Sequence, residues 1–321
     1  MSRVAFRRGF TLIEIVMVIV ILGVVAMIGT NIIAHMYENY VRSKYINTLE
    51  QKTELALEQI AARLKYRVKS TAIVRKKGTN TISWLNSPDL NDTYDMLEWI
   101  GYDYESLRGD SNGSFAKPGW SGMIDLNNPA TDVTAIVTPG SKLSYASQVI
   151  RDLSENKVDL NDTTSTPPYS KSSSPKHPAI IFKKLSSRSF GSFGWDWDHP
   201  ADHNDTLIVH KDPAREDRLI FDENITQQGV DRLVEQYRLA WSAYALVPVG
   251  PDDKDFNLTL YYNYQPWYGE KYSDGNSTVI AEHVSSFKFL QSGNTVRIKL
   301  CIQDANQTGV GFGFCKEKAV F

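Results

Sequence analysis

Residues able to do chemistry are few in this chain, and they fall in three places. The densest group is Trp195-Asp196-Trp197-Asp198-His199-Pro200 followed by Asp202-His203-Asn204-Asp205. Hard oxygen donors in such a loop hold calcium, and Asp196, Asp198 and Asp202 are the residues that would do so. The spacing fits neither an EF-hand nor a His-Glu-x-x-His helix, and Asp, Asn and Pro also build ordinary turns, so no metal site and no cofactor is expected there. The second place is Glu14, a carboxylate inside an apolar run, where charge is costly. The third is the pair Cys301 and Cys315, the only cysteines among 321 residues. Two are too few for a cysteine-built zinc site and enough for one disulfide. No Gly-x-Ser-x-Gly, Walker loop or Cys-x-x-Cys is present, and Gly309, Gly311 and Gly313 are too evenly spaced for a dinucleotide fingerprint. An enzyme is not expected.

The element that carries Glu14 explains more than the residue does. From Phe10 to Ala34 the chain is almost wholly apolar, and 25 helical residues span roughly 37 Å, enough for a hydrocarbon core of about 30 Å. Arg3, Arg7 and Arg8 precede the run and no basic residue follows until Arg42. That asymmetry keeps the N-terminus cytoplasmic and sends the C-terminal bulk across the inner membrane. A secretory signal would have a shorter core and an Ala-x-Ala site. A plain anchor would not need Glu14, although a carboxylate near the cytoplasmic end could reach the headgroups. The net charge of -2 and pI near 6.3 give no reason to expect nucleic-acid binding.

The segment Arg8-Gly9-Phe10-Thr11-Leu12-Ile13-Glu14 resembles the processing site of type IV pilins and pseudopilins. The resemblance implies that a prepilin peptidase cuts after Gly9 and methylates the new amino group of Phe10. It also implies that Glu14 neutralises the N-terminal ammonium of a neighbouring pilin-like subunit during assembly, an attraction that lipid strengthens. Many filament-forming pilins carry a proline late in this helix. Here there is none, and Gly23 and Gly29 are its weak points.

Beyond the membrane, Ile46, Leu49, Thr53, Ala56, Ile60 and Leu64 recur at helical spacing, so one helix is expected from Thr11 to about Val68. The expected division is a removed leader at 1–9, a membrane half-helix at 10–34, a periplasmic half at 35–70, a variable irregular insertion at 71–178 and a β-rich head at 179–321. The fold class is α+β, a long helix packed on an antiparallel sheet. Strands are expected at 179–185, 206–210, 233–249, 256–264, 286–291, 295–302 and 314–321. In two of them Phe256, Leu258, Leu260, Tyr262 and Tyr264, and Val296, Ile298, Leu300 and Ile302, alternate onto one face. The run Ile280-Ala281-Glu282-His283-Val284-Ser285-Ser286-Phe287-Lys288-Phe289, followed by a strand hairpin, resembles the J-type minor pseudopilins of type II secretion and the W-type minor pilins, a likeness that covers residues 206 to 321. The expected function is a minor structural subunit. The rivals are a tip adhesin or substrate receptor and a membrane-anchored periplasmic enzyme.

Two modifications are expected of a periplasmic head. Cys301 lies on the polar face with Arg297 and Lys299, one strand away from Cys315, and an oxidising compartment favours their disulfide. The chain also holds eight Asn-x-Ser/Thr sequons, at Asn91, Asn112, Asn161, Asn204, Asn224, Asn257, Asn276 and Asn306. Each has an aspartate two residues earlier, although acidic residues are only 37 of 321. The extended pattern resembles the acceptor of bacterial oligosaccharyltransferases, which implies N-linked glycans on these asparagines.

Overall fold

The structure, a computed structural model, describes residues 9–91, 93–109, 117–164, 170–183, 189–197, 205–223, 233–303 and 313–321. Its first helix, α1 (Leu12–Leu64), runs 53 residues without a break, roughly 80 Å at the helical rise. No proline interrupts it, and both Gly23 and Gly29 remain helical. Inside the apolar stretch, the Thr30 hydroxyl donates to the Ala26 carbonyl one turn back (2.7 Å), which satisfies it without water.

The helix changes character along its length. Large apolar side chains from Phe10 to Ile46 are exposed, and burial begins at Leu49. From there Thr53, Ala56, Leu57, Ile60, Ala61 and Leu64 form one buried stripe at spacings of three and four. Ile46, expected in that stripe, lies a turn beyond its end. The C-terminus also comes a turn sooner than expected. Arg67 takes up the Leu64 carbonyl through Nη1 (2.8 Å), and its Nη2 reaches the Asn294 carbonyl (2.7 Å). One buried guanidinium thus satisfies an end carbonyl of the helix and fastens that end to the head.

After α1 come β1 (Ile73–Arg75), β2 (Ile82–Trp84), β3 (Met96–Gly101), α2 (Tyr104–Leu107), β4 (Ala135–Val137), α3 (Leu143–Leu153), β5 (Ala179–Phe182), β6 (Leu207–Lys211), β7 (Arg218–Phe221) and β8 (Tyr237–Ala240). The long strands follow: β9 (Ser242–Asp252), β10 (Asp255–Tyr264), β11 (Asn276–Ser292), β12 (Thr295–Gln303) and β13 (Gly313–Val320). They form an eight-stranded sheet in the order β13-β12-β11-β10-β9-β3-β1-β2 and a five-stranded sheet in the order β4-β7-β6-β5-β8. The α1 stripe packs on one face of the large sheet, against Leu258, Leu260, Val296, Ile298 and Leu300. The other face packs on the small sheet through Ile73, Ala245, Val247, Ala179 and Ile181. α3 covers the far side of the small sheet with Ala146 and Ile150.

Three sequence expectations need correcting. Residues 71–178 are not an insertion set apart from the head. β3 lies inside the large sheet, paired with β1 and β9, and β4 pairs with β7. Both sheets therefore cross the expected boundary at 178. The strand expected over 233–249 is two strands, one in each sheet, because the chain changes sheets at Trp241. Finally, Tyr264 packs between the sheets, opposite the face of Leu258 and Leu260. Asn263, at φ +59°, and a register shift between Tyr261 and Tyr264 break the alternation there.

Candidate processing and assembly site

Gly9 and Phe10 precede the helix in the open, with Phe10 78% exposed. Thr11 is extended at the N-cap position, and the Glu14 backbone N–H donates to its carbonyl (3.0 Å). Glu14 lies exposed in the first turn, where the free N–H groups and the helix dipole favour a carboxylate. α1 is the helix, among the described residues, that is long and apolar enough to cross a membrane. Among the described residues, none buries its apolar stretch. A helix that buries no apolar side chain in its own chain must bury them in lipid or in other helices.

Where α1 enters the head, it is held by charge as well as by the buried stripe. Glu54 pairs with Lys316 and Glu58 with Lys318 on β13. The Lys316 hydrogen bond holds the Glu54 carboxyl below its ordinary range. β13 is joined to β12 by the Cys301–Cys315 disulfide, between residues that are direct partners in the register. The expected bridge is therefore present.

The described part of the loop singled out for metal chemistry joins a buried ion-pair network. Gly194, at φ +76°, brings the chain so close to Pro266 that a Cβ would lie 2.3 Å from its carbonyl oxygen. This turn delivers Trp195 and Asp196 to the buried Arg75. Arg75 pairs with Glu98 (2.5 Å) and donates to Asn80 Oδ1 (2.9 Å) and the Trp195 carbonyl (3.0 Å). The Trp197 ring lies 3.9 Å from its guanidinium, and Asn80 donates onward to Asp196 (3.1 Å). Asp196 thus completes a hydrogen-bonded ion-pair network. Asp198 and Asp202 lie outside the described residues.

A cluster that the sequence did not reveal lies at the small sheet. His177, His210 and Asp222 place donor atoms within 4.8 Å of one another, the arrangement among the described residues that could hold a metal ion. The side chain of Asp222 is wholly buried and faces His177 Nδ1 and His210 Nδ1, each at 2.5 Å, and Asp162 faces His177 Nε2 at 3.2 Å. Burial disfavours the imidazolium of His177, yet the Asp222 and Asp162 hydrogen bonds and charges outweigh it and raise the pKa. Burial likewise opposes the Asp222 carboxylate, and the two histidines outweigh it and lower the pKa. The group is thus a hydrogen-bonded clamp that ties β6 and the end of β7 to the segment entering β5. Its members are 45 and 12 residues from Asp222 in sequence, so no local motif could have disclosed it.

Of the sequons, Asn91, Asn161 and Asn257 are exposed and Asn276 is half-buried, with its amide between Lys157 (2.7 Å) and Glu155 (3.4 Å). Asn112, Asn204, Asn224 and Asn306 lie outside the described residues.

Residues 5–30 match the family of the prokaryotic N-terminal methylation motif. The chain therefore carries the type IV pilin signal, and the motif supports a pilin-like or pseudopilin subunit in general. It implies processing by prepilin peptidase and assembly with other pilin subunits. No curated protein and no solved structure matches the chain.

Proposed function

We propose that the chain is a minor pilin or minor pseudopilin of a type IV pilus-like or type II secretion filament. The observation behind this reading is the division of α1. An apolar stretch behind a cleavage motif buries nothing, and it continues without a break into a stretch locked in the head. The first part inserts among other pilin helices and the second carries the cargo. Arg3, Arg7 and Arg8 keep the leader cytoplasmic, so the head is periplasmic before assembly. At 312 residues after removal of nine from 321, the subunit is bulky for a repeating filament shaft, which favours a place at or near the tip. In this reading the head is not an enzyme and needs no cofactor. Quantitative mass spectrometry of sheared filaments tests it: the chain should be present, processed and far below the stoichiometry of the shaft subunit. Equal stoichiometry would make it a major subunit.

The same periplasmic head is an N-glycoprotein in this reading, modified by an oligosaccharyltransferase at its Asp-x-Asn-x-Ser/Thr sites. Glycopeptide analysis from the native host tests this, and unmodified asparagine at all eight sites would end it.

One feature favours an additional binding role. A groove of about 380 Å³ between α1 and the large sheet is lined by Arg63, Tyr66, Tyr102 and Tyr244, and Tyr66 stacks on Tyr104 at 3.7 Å beside it. Aromatic faces with a cation at their rim suit a tip adhesin or substrate receptor.

A further inference from the structure

A sequon is read at more than its asparagine. The transferase must contact the hydroxyl two residues on, and for this extended pattern also the carboxylate two residues before. Side chains that an enzyme reads must be reachable, so the folded head can be asked which acceptors it leaves legible.

At three described acceptors the residue that supplies the hydroxyl stays exposed. At Asn91 the flanking Asp89 and Thr93 are both exposed. At Asn276, Asp274 and Thr278 are exposed, while the asparagine itself is half-buried, its Nδ2 donating to Glu155 (3.4 Å) and the Asp274 carboxylate accepting from Lys171 (2.6 Å). At Asn161, Thr163 is exposed and Asp159 is half-buried, its carboxylate accepting from the Asn161 backbone N–H (2.8 Å) and from the Ser147 hydroxyl (2.7 Å).

Asn257 is different. Its side chain is exposed, but Thr259, which supplies its hydroxyl, is buried at 7% exposure. The segment is the interior strand β10, in register with Val249 and Val247 on β9 and with Val279 on β11. Thr259 is buried and backbone-paired on both sides at the middle of the largest sheet, so presenting this segment to an enzyme as a free extended acceptor means opening the strand from both neighbours. Opening of such a core strand is among the rarest fluctuations of a folded domain. Two other recognition residues are shut in likewise: Thr206, fully buried and donating to the Ser192 carbonyl (3.2 Å), and Asp222 in its histidine clamp.

Building on the glycoprotein reading above, we propose that the glycan reaches Asn257 before the head folds, whereas Asn91, Asn161 and Asn276 remain acceptors afterwards. Folding closes the first acceptor and spares the other three. The chemistry is the same at each. The bond between the sugar's anomeric carbon and the phosphate oxygen of a lipid-pyrophosphate-linked oligosaccharide breaks, and a bond to asparagine Nδ2 forms. The amide gives up a proton to a base, and the lipid pyrophosphate departs. Because the Asn257 side chain points to solvent, a glycan placed early does not prevent the strand from pairing. Occupancy at Asn257 then reports how the transferase competes with folding.

The test uses the full chain purified in detergent from a host without the transferase, folded and disulfide-bonded. It is incubated with a bacterial oligosaccharyltransferase and a lipid-pyrophosphate-linked oligosaccharide. A synthetic peptide covering residues 253–261 serves as the unfolded Asn257 acceptor, and the chain co-expressed with the transferase forms a third arm. Glycopeptide mass spectrometry should show the peptide modified, and Asn257 modified on co-expression. In the folded chain, Asn91, Asn161 and Asn276 should react at least about tenfold faster than Asn257. Asn257 reacting within a few-fold of Asn91 in the folded chain would overturn the ordering while leaving the glycoprotein reading intact. Failure of the peptide and of every site on co-expression would instead overturn that reading, and the ordering with it.

Discussion

Arg67, three residues past the end of α1, donates to the carbonyl of Asn294 across 227 positions of sequence. Asn294 belongs to the turn joining β11 and β12, so this bond and the one to Leu64 fasten the helix to the hairpin it packs on. Replacing Arg67 by Ala leaves both carbonyls without their charged donor. The expected loss is about 3 kcal/mol, read as a lower denaturant midpoint for the detergent-solubilised chain. Arg67→Lys, with a compact ammonium in place of the fork, should recover only one of the two bonds.

Removing the disulfide should weaken one edge of the head. Cys301 and Cys315 are 14 apart in sequence, and a loop of that length is worth about 3 kcal/mol in the chain-entropy model. The double Cys301→Ser, Cys315→Ser variant should unfold at lower denaturant. Amide exchange should rise first along β13, where Lys316 and Lys318 hold α1.

The pH dependence of stability should come from two buried acids and a histidine. Burial pushes the Asp103 carboxyl up to about 7, against the opposing Ser106 hydrogen bonds. The folded head therefore holds a proton there that the unfolded chain sheds near pH 3.8, so stability falls as pH rises from about 4 to 7. His177, with its raised pKa, contributes fully below about 6.5 and loses that contribution as pH climbs through its folded value. Asp222, with a lowered pKa, acts in the opposite sense and loses its contribution only as pH drops below the ordinary aspartate range. Denaturation curves between pH 3 and 9 should show Asp103→Asn flattening the slope below pH 7 and His177→Gln the slope above 6.5. Unchanged slopes in both variants would remove these assignments.

At the N-terminus, Gly9→Val should leave the precursor uncut, because a β-branched side chain obstructs close approach to the backbone. Glu14→Ala should be cut normally and incorporated poorly. Edman sequencing should find N-methyl-phenylalanine at position 10 in wild type and in Glu14→Ala. An intact Met1 terminus in assembled wild-type material would contradict the processing reading.

The parts legible in the sequence were those written locally. A basic flank, an apolar run and Gly-Phe before Glu14 identify the helix and its motif. Alternation in β10 and β12 identifies the face that receives α1, and strand ends at Cys301 and Cys315 point to their pairing. The illegible parts depend on partners far along the chain. β1 and β2 are three residues each, too short for periodicity to register, so their place in the large sheet was hidden in an apparently irregular stretch. The buried arginine network around Arg75 draws on residues 75, 80, 98, 195 and 264. From sequence, its Asp196 could be seen only as a carboxylate in a polar loop. Asp222 read as the leading residue of a sequon and nothing more, because both its histidines come from other strands and connections.

The interval between the apolar run and the first buried helical residue has a mechanical meaning. The run ends at Ala34 and burial starts at Leu49, leaving a bare shaft of 14 residues at positions 35–48, roughly 21 Å long. Headgroups extend only about 5–8 Å beyond the hydrocarbon on each side. In the proposed reading, with the apolar run in the bilayer, the head rides clear of the membrane surface, and that clearance sets how closely subunits can crowd. Slender shafts can gather side by side in the membrane while their bulky heads still have freedom to turn.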